Sequence, residues 1–68
     1  MATSEHQVWF GTEAVARRYD VPVPTVRKWR HEGTGPTGVV FGRHVRYSLA
    51  ELERWEREKA AEQVRATA

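Results

Sequence analysis

The turn at Asp20-Val21, between two segments with helical periodicity, constrains the fold of this chain more than any other feature. The first segment begins at Thr12, a residue suited to cap a helix, and ends near Tyr19. Asp20 tolerates a left-handed backbone better than most residues do, and Val21 supplies an apolar plug for the corner. The sequence therefore predicts two helices that pack together across this corner.

The second helix is predicted from Pro24 to Glu32, with Pro24 in its first turn and Gly33 just beyond its end. At about 100° per residue, Val26 and Trp29 share one face, and we expect both to pack in the core. The opposite face is basic, and the residues expected on or beside it are Pro24, Arg27, Lys28 and His31, flanked by Thr25 and Arg30.

A short β-hairpin is predicted around a two-residue turn at Gly42-Arg43. In this register Val40 pairs with Val45, and Tyr47 shares their face. The basic side chains expected at the tip or on the outer face are Arg43, His44 and Arg46.

The C-terminal helix has the clearest local signal, the capping box Ser48-Leu49-Ala50-Glu51. We expect Ser48 to bond the amide of Glu51, and the Glu51 side chain to reach back to Ser48. Beyond Trp55 the sequence is rich in helix formers and has almost no apolar face. We therefore expect a folded domain over residues 9–56, an exposed, fraying helical tail over 57–68 and a flexible N-terminus over 1–8.

Positive charge is concentrated in the middle of the chain, although the net charge is only +2. Between Arg17 and Arg46 there are seven basic residues and two acidic ones, a local charge of +5. This segment is a candidate surface for a polyanion. Charge alone is equally consistent with solvated helix faces.

Several classes of function are disfavoured by composition. The chain has no cysteine, which excludes a disulfide framework and a thiolate zinc site. His6, His31 and His44 lack metal-ligand spacing on one element, and Ser48 is better explained as a cap than as a nucleophile. We expect no catalysis, cofactor, metal or small-molecule substrate. Without an apolar run of about 20 residues or a signal peptide, we also expect a cytoplasmic protein with no membrane role.

The predicted element order, helix, tight turn, basic helix, loop, hairpin and helix, is that of a winged helix-turn-helix, a mainly α fold with a small β-hairpin. The sequence resembles the excisionase, or recombination directionality factor, group and its MerR-like relatives. Three stretches within residues 9–55 carry the resemblance: Phe10 to Ala16, Val21 to Trp29, and Gly42 to Tyr47 followed by Leu49, Leu52 and Trp55. The sequence departs from the family pattern at Asp20, where glycine is usual, and at Pro22 and Pro24, which replace a serine cap and a polar residue.

The resemblance implies that the second helix, the recognition helix, enters the major groove of double-stranded DNA in a bacterial host cell. The recognition-helix residues implied to contact DNA are Pro24, Thr25, Arg27, Lys28, Arg30 and His31. Wing residues Arg43, His44 and Arg46 would reach the adjacent backbone or minor groove, and Arg17 and Arg18 the phosphates. The resemblance further implies head-to-tail self-association along DNA, DNA bending, and a partner integrase directed toward excision.

Two alternatives remain open at this point. A small MerR-like transcriptional regulator would share the same DNA-binding motif. A protein–protein adaptor would instead use the Glu- and Arg-rich terminal helix as its main surface.

Overall fold

The computed structural model describes residues 8–67. Along this part of the chain the elements are β1 (Trp9–Gly11), α1 (Thr12–Tyr19), α2 (Val23–Glu32), β2 (Val39–Phe41), β3 (His44–Ser48) and α3 (Leu49–Thr67). The predicted fold class is confirmed, because these elements form a mainly helical winged helix-turn-helix with a small antiparallel sheet. The flexible terminus predicted for residues 1–8 lies, except for Val8, outside the described residues.

The corner between α1 and α2 has the predicted backbone. Asp20 adopts the left-handed conformation, with φ 56° and ψ 48°. The Val21 N–H donates to the Ala16 carbonyl at 2.9 Å, which closes the turn. Ala16 is itself buried, so a small side chain lies at the corner between α1 and α2. The local chemistry of the turn therefore places the two helices as expected.

The predicted cap of α1 is wrong. Thr12 is the first residue of the helix, and Gly11 occupies the cap position without a side-chain hydrogen bond. Gly11 is also the last residue of β1, where it pairs with Arg46. The chain thus passes directly from an extended strand residue into the helix, without a side-chain cap.

Helix α2 begins at Val23, one residue before the predicted start. Pro24 lies in its first turn, and Gly33 ends it in the left-handed conformation at φ 73°. The Thr34 N–H donates to the Trp29 carbonyl at 2.9 Å, which satisfies one carbonyl of the last turn.

The sheet contains a strand that sequence reasoning did not predict. Its strand order is β1-β3-β2, so β3 lies in the middle. The predicted pairing of Val40 with Val45 is confirmed in the hairpin of β2 and β3, which we call the wing. On the other side of β3, Trp9 pairs with Ser48. The Trp9 ring also meets the Phe41 ring edge to face, with centroids 5.1 Å apart.

The core lies between the helices and the inner face of the sheet. Its buried side chains are Val15, Ala16, Val26, Tyr47 and Leu52. Beside it Tyr19, Trp29 and Trp55 form a half-buried aromatic cluster, in which the two indole centroids are 5.3 Å apart. The predicted inward face of α2 is therefore confirmed, with Val26 fully enclosed and Trp29 at the edge of the core.

The predicted capping box of α3 is half right. The Ser48 Oγ accepts a hydrogen bond from the Glu51 N–H at 3.1 Å, as expected. The Glu51 carboxylate does not reach back. It accepts the Thr37 N–H at 2.9 Å and two bonds from the Arg54 guanidinium, because a cation one turn away is the stronger partner. Glu51 thereby ties the loop after α2 to α3.

The C-terminal half of α3 extends away from the core. Its side chains are exposed from residue 57 to residue 66. Within residues 8–67, no helix is both long and apolar enough to cross a membrane.

Candidate nucleic-acid interface

An open cleft of about 630 Å³ lies between the start of α1, helix α2 and the wing. We call it the main cleft. The basic residues that line it come from three elements: Arg17 from α1, Arg27 from α2, and Arg43, His44 and Arg46 from the wing and its tip. Five of the sequence-predicted site residues are thus brought together on one side of the molecule.

The local structure explains this convergence. Val26 is buried, which turns the next residue, Arg27, outward on the basic face of α2. The two-residue turn carries Arg43 at the tip of the wing, directly before β3. Arg46 pairs with Gly11 across β1 and β3, and its Nη1 donates to the Val45 carbonyl at 2.9 Å. The sheet therefore orients wing cations toward the first turn of α1.

Within residues 8–67, the arginines of the main cleft are not neutralised by carboxylates. Among residues 8–67 the ion pairs within 4.0 Å involve Arg18, Arg54 and Lys59, none of which lines the cleft. Glu13 lines the cleft but lies beyond ion-pair distance of these arginines. Unpaired cations around a concave surface reinforce one another and attract a polyanion.

A second, smaller cleft of about 420 Å³ lies between α2 and the inner face of the wing. We call it the inner cleft, and its lining residues are Thr12, Arg27, Arg30, His31, Val45 and Tyr47. It brings two more predicted residues, Arg30 and His31, beside Arg27. Sequence reasoning missed Thr12 and Tyr47 here, because it treated Thr12 as a cap and placed Tyr47 on the hairpin face shared by Val40 and Val45. The signal in the sequence was the hydroxyl of Tyr47, which stands at an apolar position where phenylalanine would fit equally well.

The remaining predicted residues of α2 line neither of these clefts. Pro24 and Lys28 are exposed, and Thr25 is half-buried. Their contacts with DNA remain predictions of the sequence.

Arg18 has a different environment from Arg17. Its Nε donates to the Glu56 Oε2 at 2.6 Å, and this hydrogen bond raises the pKa of the Arg18 guanidinium. The side chain therefore joins α1 to α3. Its predicted contact with a phosphate remains a prediction of the sequence.

The described residues offer no metal centre. No group of three or more His, Asp or Glu side chains in this part of the chain is arranged to hold a metal ion. The polar side chains that line the inner cleft are those of arginine, histidine, threonine and tyrosine, and the main cleft adds one carboxylate, Glu13, to several arginines; basic groups in this excess suit oxyanions such as phosphate.

Comparison with known proteins agrees with this geometry. A family model described as a helix-turn-helix domain matches residues 9–60. This family binds DNA, includes excisionase-like proteins and is typically non-enzymatic. No curated protein matches the chain, and no solved structure does. Because the match begins at the first residue of β1 and continues into α3, covering most of the sequence, the chain belongs to the helix-turn-helix domain family.

Proposed function

We propose that the protein is a sequence-specific architectural DNA-binding protein of the excisionase type. The observation that supports this most is the main cleft, where cations from α1, α2 and the wing, which form no ion pair with any described carboxylate, face one space. In the proposed complex α2 lies in the major groove, and the wing lies over the adjacent backbone or minor groove. No membrane or small molecule takes part.

The proposed contacts divide by chemistry. Arg27, Lys28 and His31 approach base edges, where a guanidinium can bond a guanine through two nitrogens. Thr25 and Arg30 approach phosphates, together with the wing cations and Arg17. Phosphate contacts set affinity and orientation, and the base contacts select the sequence.

A single module of this size has limited specificity. Each good bidentate base contact discriminates by about 1–3 kcal/mol, so two or three of them give weak selection by one copy. We propose that several copies bind side by side, head to tail, and bend attachment-site DNA. The exposed part of α3, residues 57–66, is the proposed surface for a neighbouring copy or an integrase.

Footprinting on attachment-site and promoter DNA tests this proposal. The expected result is a row of protections at a fixed repeat, with cooperative filling as the protein concentration rises. Binding to the same duplex should weaken by more than tenfold between about 50 and 200 mM salt, because several phosphates are neutralised. Binding that is insensitive to salt would contradict the electrostatic basis of the proposal.

A recombination assay with the cognate integrase separates excision from transcription control. An excisionase shifts the products toward excision, whereas a pure repressor leaves the direction of recombination unchanged. The double variant Arg27→Ala/Lys28→Ala should lose both DNA binding and this activity. An adaptor that acts through α3 would keep its activity in that variant.

A further inference from the structure

Tyr47 has an unusual environment for a tyrosine in a small core. Its side chain lies on β3 and the residue is only 1% exposed. The loop after α2 closes over the ring: a Cβ added to Gly38 would lie 3.1 Å from the Tyr47 Cε2 and 3.2 Å from its Cζ. Cζ carries the hydroxyl, so the enclosing backbone reaches the polar end of the ring.

The hydroxyl of Tyr47 has no hydrogen-bond partner within residues 8–67. The Tyr19 hydroxyl, in contrast, donates to the Glu56 Oε2 at 2.7 Å. Yet no fully buried polar side-chain atom in this part of the molecule is unpaired. The Tyr47 oxygen therefore reaches the surface, and the opening that its side chain lines is the inner cleft.

The inner cleft is chemically suited to an oxyanion. Arg27, Arg30 and His31 line it, and none of the acidic residues among residues 8–67 does. Burial raises the pKa of the Tyr47 hydroxyl, and the nearby charge of Arg30 opposes this shift only in part. The phenol is consequently protonated at neutral pH and available as a donor.

A phenol that is almost fully enclosed and has no hydrogen-bond partner within residues 8–67 gives the core nothing that a phenylalanine would lack. We propose that the inner cleft is a phosphate subsite, in which the Tyr47 hydroxyl donates a hydrogen bond to a phosphate oxygen whose charge Arg30 balances. A DNA backbone phosphate beside α2 is the source we favour, and in that form the inference rests on the proposed function. A free phosphate ion has the same chemistry, and the experiments below distinguish the two sources.

The variant Tyr47→Phe tests the hydrogen bond without disturbing the core. The ring is kept, and the lost hydroxyl has no internal partner, so the melting temperature should not fall. Affinity for a footprinted duplex should drop about tenfold, the effect of one charge-assisted hydrogen bond. The salt dependence should stay the same, because no charge is removed.

The other tyrosine provides a matched control. Tyr19→Phe removes a hydroxyl that is bonded to Glu56 on the side of α1 that faces α3. This variant should lose thermal stability and keep the DNA affinity of the wild-type protein. A loss of DNA affinity equal to that of Tyr47→Phe would show a general effect of tyrosine removal and overturn the subsite.

Single methylphosphonate substitutions in the duplex locate the phosphate. At one position the neutral substitution should weaken binding of the wild-type protein and have a smaller effect on Tyr47→Phe, because the two changes remove the same interaction. Equal effects on both proteins at every position would argue against a backbone phosphate as the partner.

A titration with inorganic phosphate at constant ionic strength decides between the sources. In a protein labelled at the tyrosine ring carbons, phosphate should shift the NMR signals of Tyr47 and leave those of Tyr19 unchanged.

The two measurements together identify the ligand. If Tyr47→Phe binds DNA as tightly as the wild type while phosphate still shifts the Tyr47 signals of the wild-type protein, the ligand is a free anion. Equal DNA affinity without a phosphate shift overturns the subsite and leaves the proposed function intact. Should the wild-type protein bind no duplex, the proposed function fails, and the phosphate shift alone decides for or against the subsite.

Discussion

Arg18 and Glu56 form a two-point ion pair between α1 and α3. The Arg18 Nε lies 2.6 Å from the Glu56 Oε2, and its Nη2 lies 3.2 Å from the Oε1. The Tyr19 hydroxyl donates to the same carboxylate at 2.7 Å. One carboxylate therefore holds two consecutive side chains of α1, next to the aromatic cluster that Tyr19 shares with α2 and α3.

Replacing Glu56 with glutamine should destabilise the protein moderately. The side chains of Arg18 and Glu56 are 29% and 35% exposed, so solvent screens the pair and we expect a loss of about 1 kcal/mol. For a domain of this size that corresponds to a decrease of roughly 4–8 °C in the melting temperature, measured by circular dichroism.

Glu62→Gln is the matched control for Glu56→Gln. Glu62 pairs with Lys59 at 3.4 Å within α3, and both side chains are well exposed. Its replacement should leave the melting temperature almost unchanged. Equal decreases of the melting temperature in the two variants would mean that the Arg18–Glu56 contact stabilises the protein no more than an exposed pair within one helix does.

The pH dependence of stability should contain a contribution from Glu51. Hydrogen bonds from Arg54, followed by the Thr37 N–H, lower the pKa of Glu51 to about 2. The pKa in the unfolded chain is about 4.3, so the folded state holds its proton less tightly. The resulting stabilisation is present above about pH 4.3 and is lost as the pH falls toward 2.

Urea unfolding at a series of pH values measures this contribution. Because the pKa of Glu56 is also lowered, the comparison should be made in a Glu56→Gln background. There, adding Glu51→Gln should flatten the loss of stability between about pH 4.3 and 2. Parallel curves with and without Glu51 would contradict the assignment.

Gly38→Ala should destabilise the core from the loop side. The added Cβ would lie 2.8 Å from the Val45 Cγ1 and close to the Tyr47 ring, so the backbone or these side chains must shift. Overpacking of this kind costs about 1–3 kcal/mol, which urea unfolding resolves.

Gly33→Asn is the control variant for Gly38→Ala. Gly33 has a positive φ of 73°, and nothing lies within 4 Å of an added Cβ. Asparagine tolerates this left-handed conformation at the end of a helix, so the change should be small. A larger loss at Gly33 than at Gly38 would refute the close approach of the loop to Tyr47.

Arg17→Ala should weaken DNA binding and reduce its dependence on salt. Arg17 lines the main cleft, and the proposed function assigns it to a DNA phosphate. Removing one phosphate-neutralising cation lowers the slope of log affinity against log salt by about one. Arg57→Ala removes the same charge from the exposed part of α3 and should leave the slope unchanged. Identical slopes for the two variants would show that binding follows total charge alone.

The features that sequence reasoning predicted well depend on local backbone chemistry. The left-handed Asp20, the left-handed Gly33 and the register of Val40 with Val45 follow from residues within a few positions of one another. The basic face of α2 is equally local, because helical periodicity alone separates Arg27 from Val26. Most of the candidate site could be named for this reason.

Most of the features that sequence reasoning missed depend on partners far away in the chain. Strand β1 has only three residues, and its pairing with β3 has no local signal. The capping pattern pairs the Glu51 carboxylate with Ser48, but Arg54 and Thr37 bind this carboxylate instead. Arg18 is basic like its neighbour Arg17, and only the packing of α3 brings Glu56 to it.

The position of β1 also determines when this domain can finish folding during its synthesis. Trp9 emerges from the ribosome early, but its partner Ser48 follows only after both helices of the corner and most of the wing. The helices are local and form quickly, whereas the strand must wait for a distant segment. A nascent chain stalled before Arg46 would therefore present the Trp9–Gly11 segment without its sheet, and α3, which carries the core residue Leu52, would complete the domain after the strands have joined.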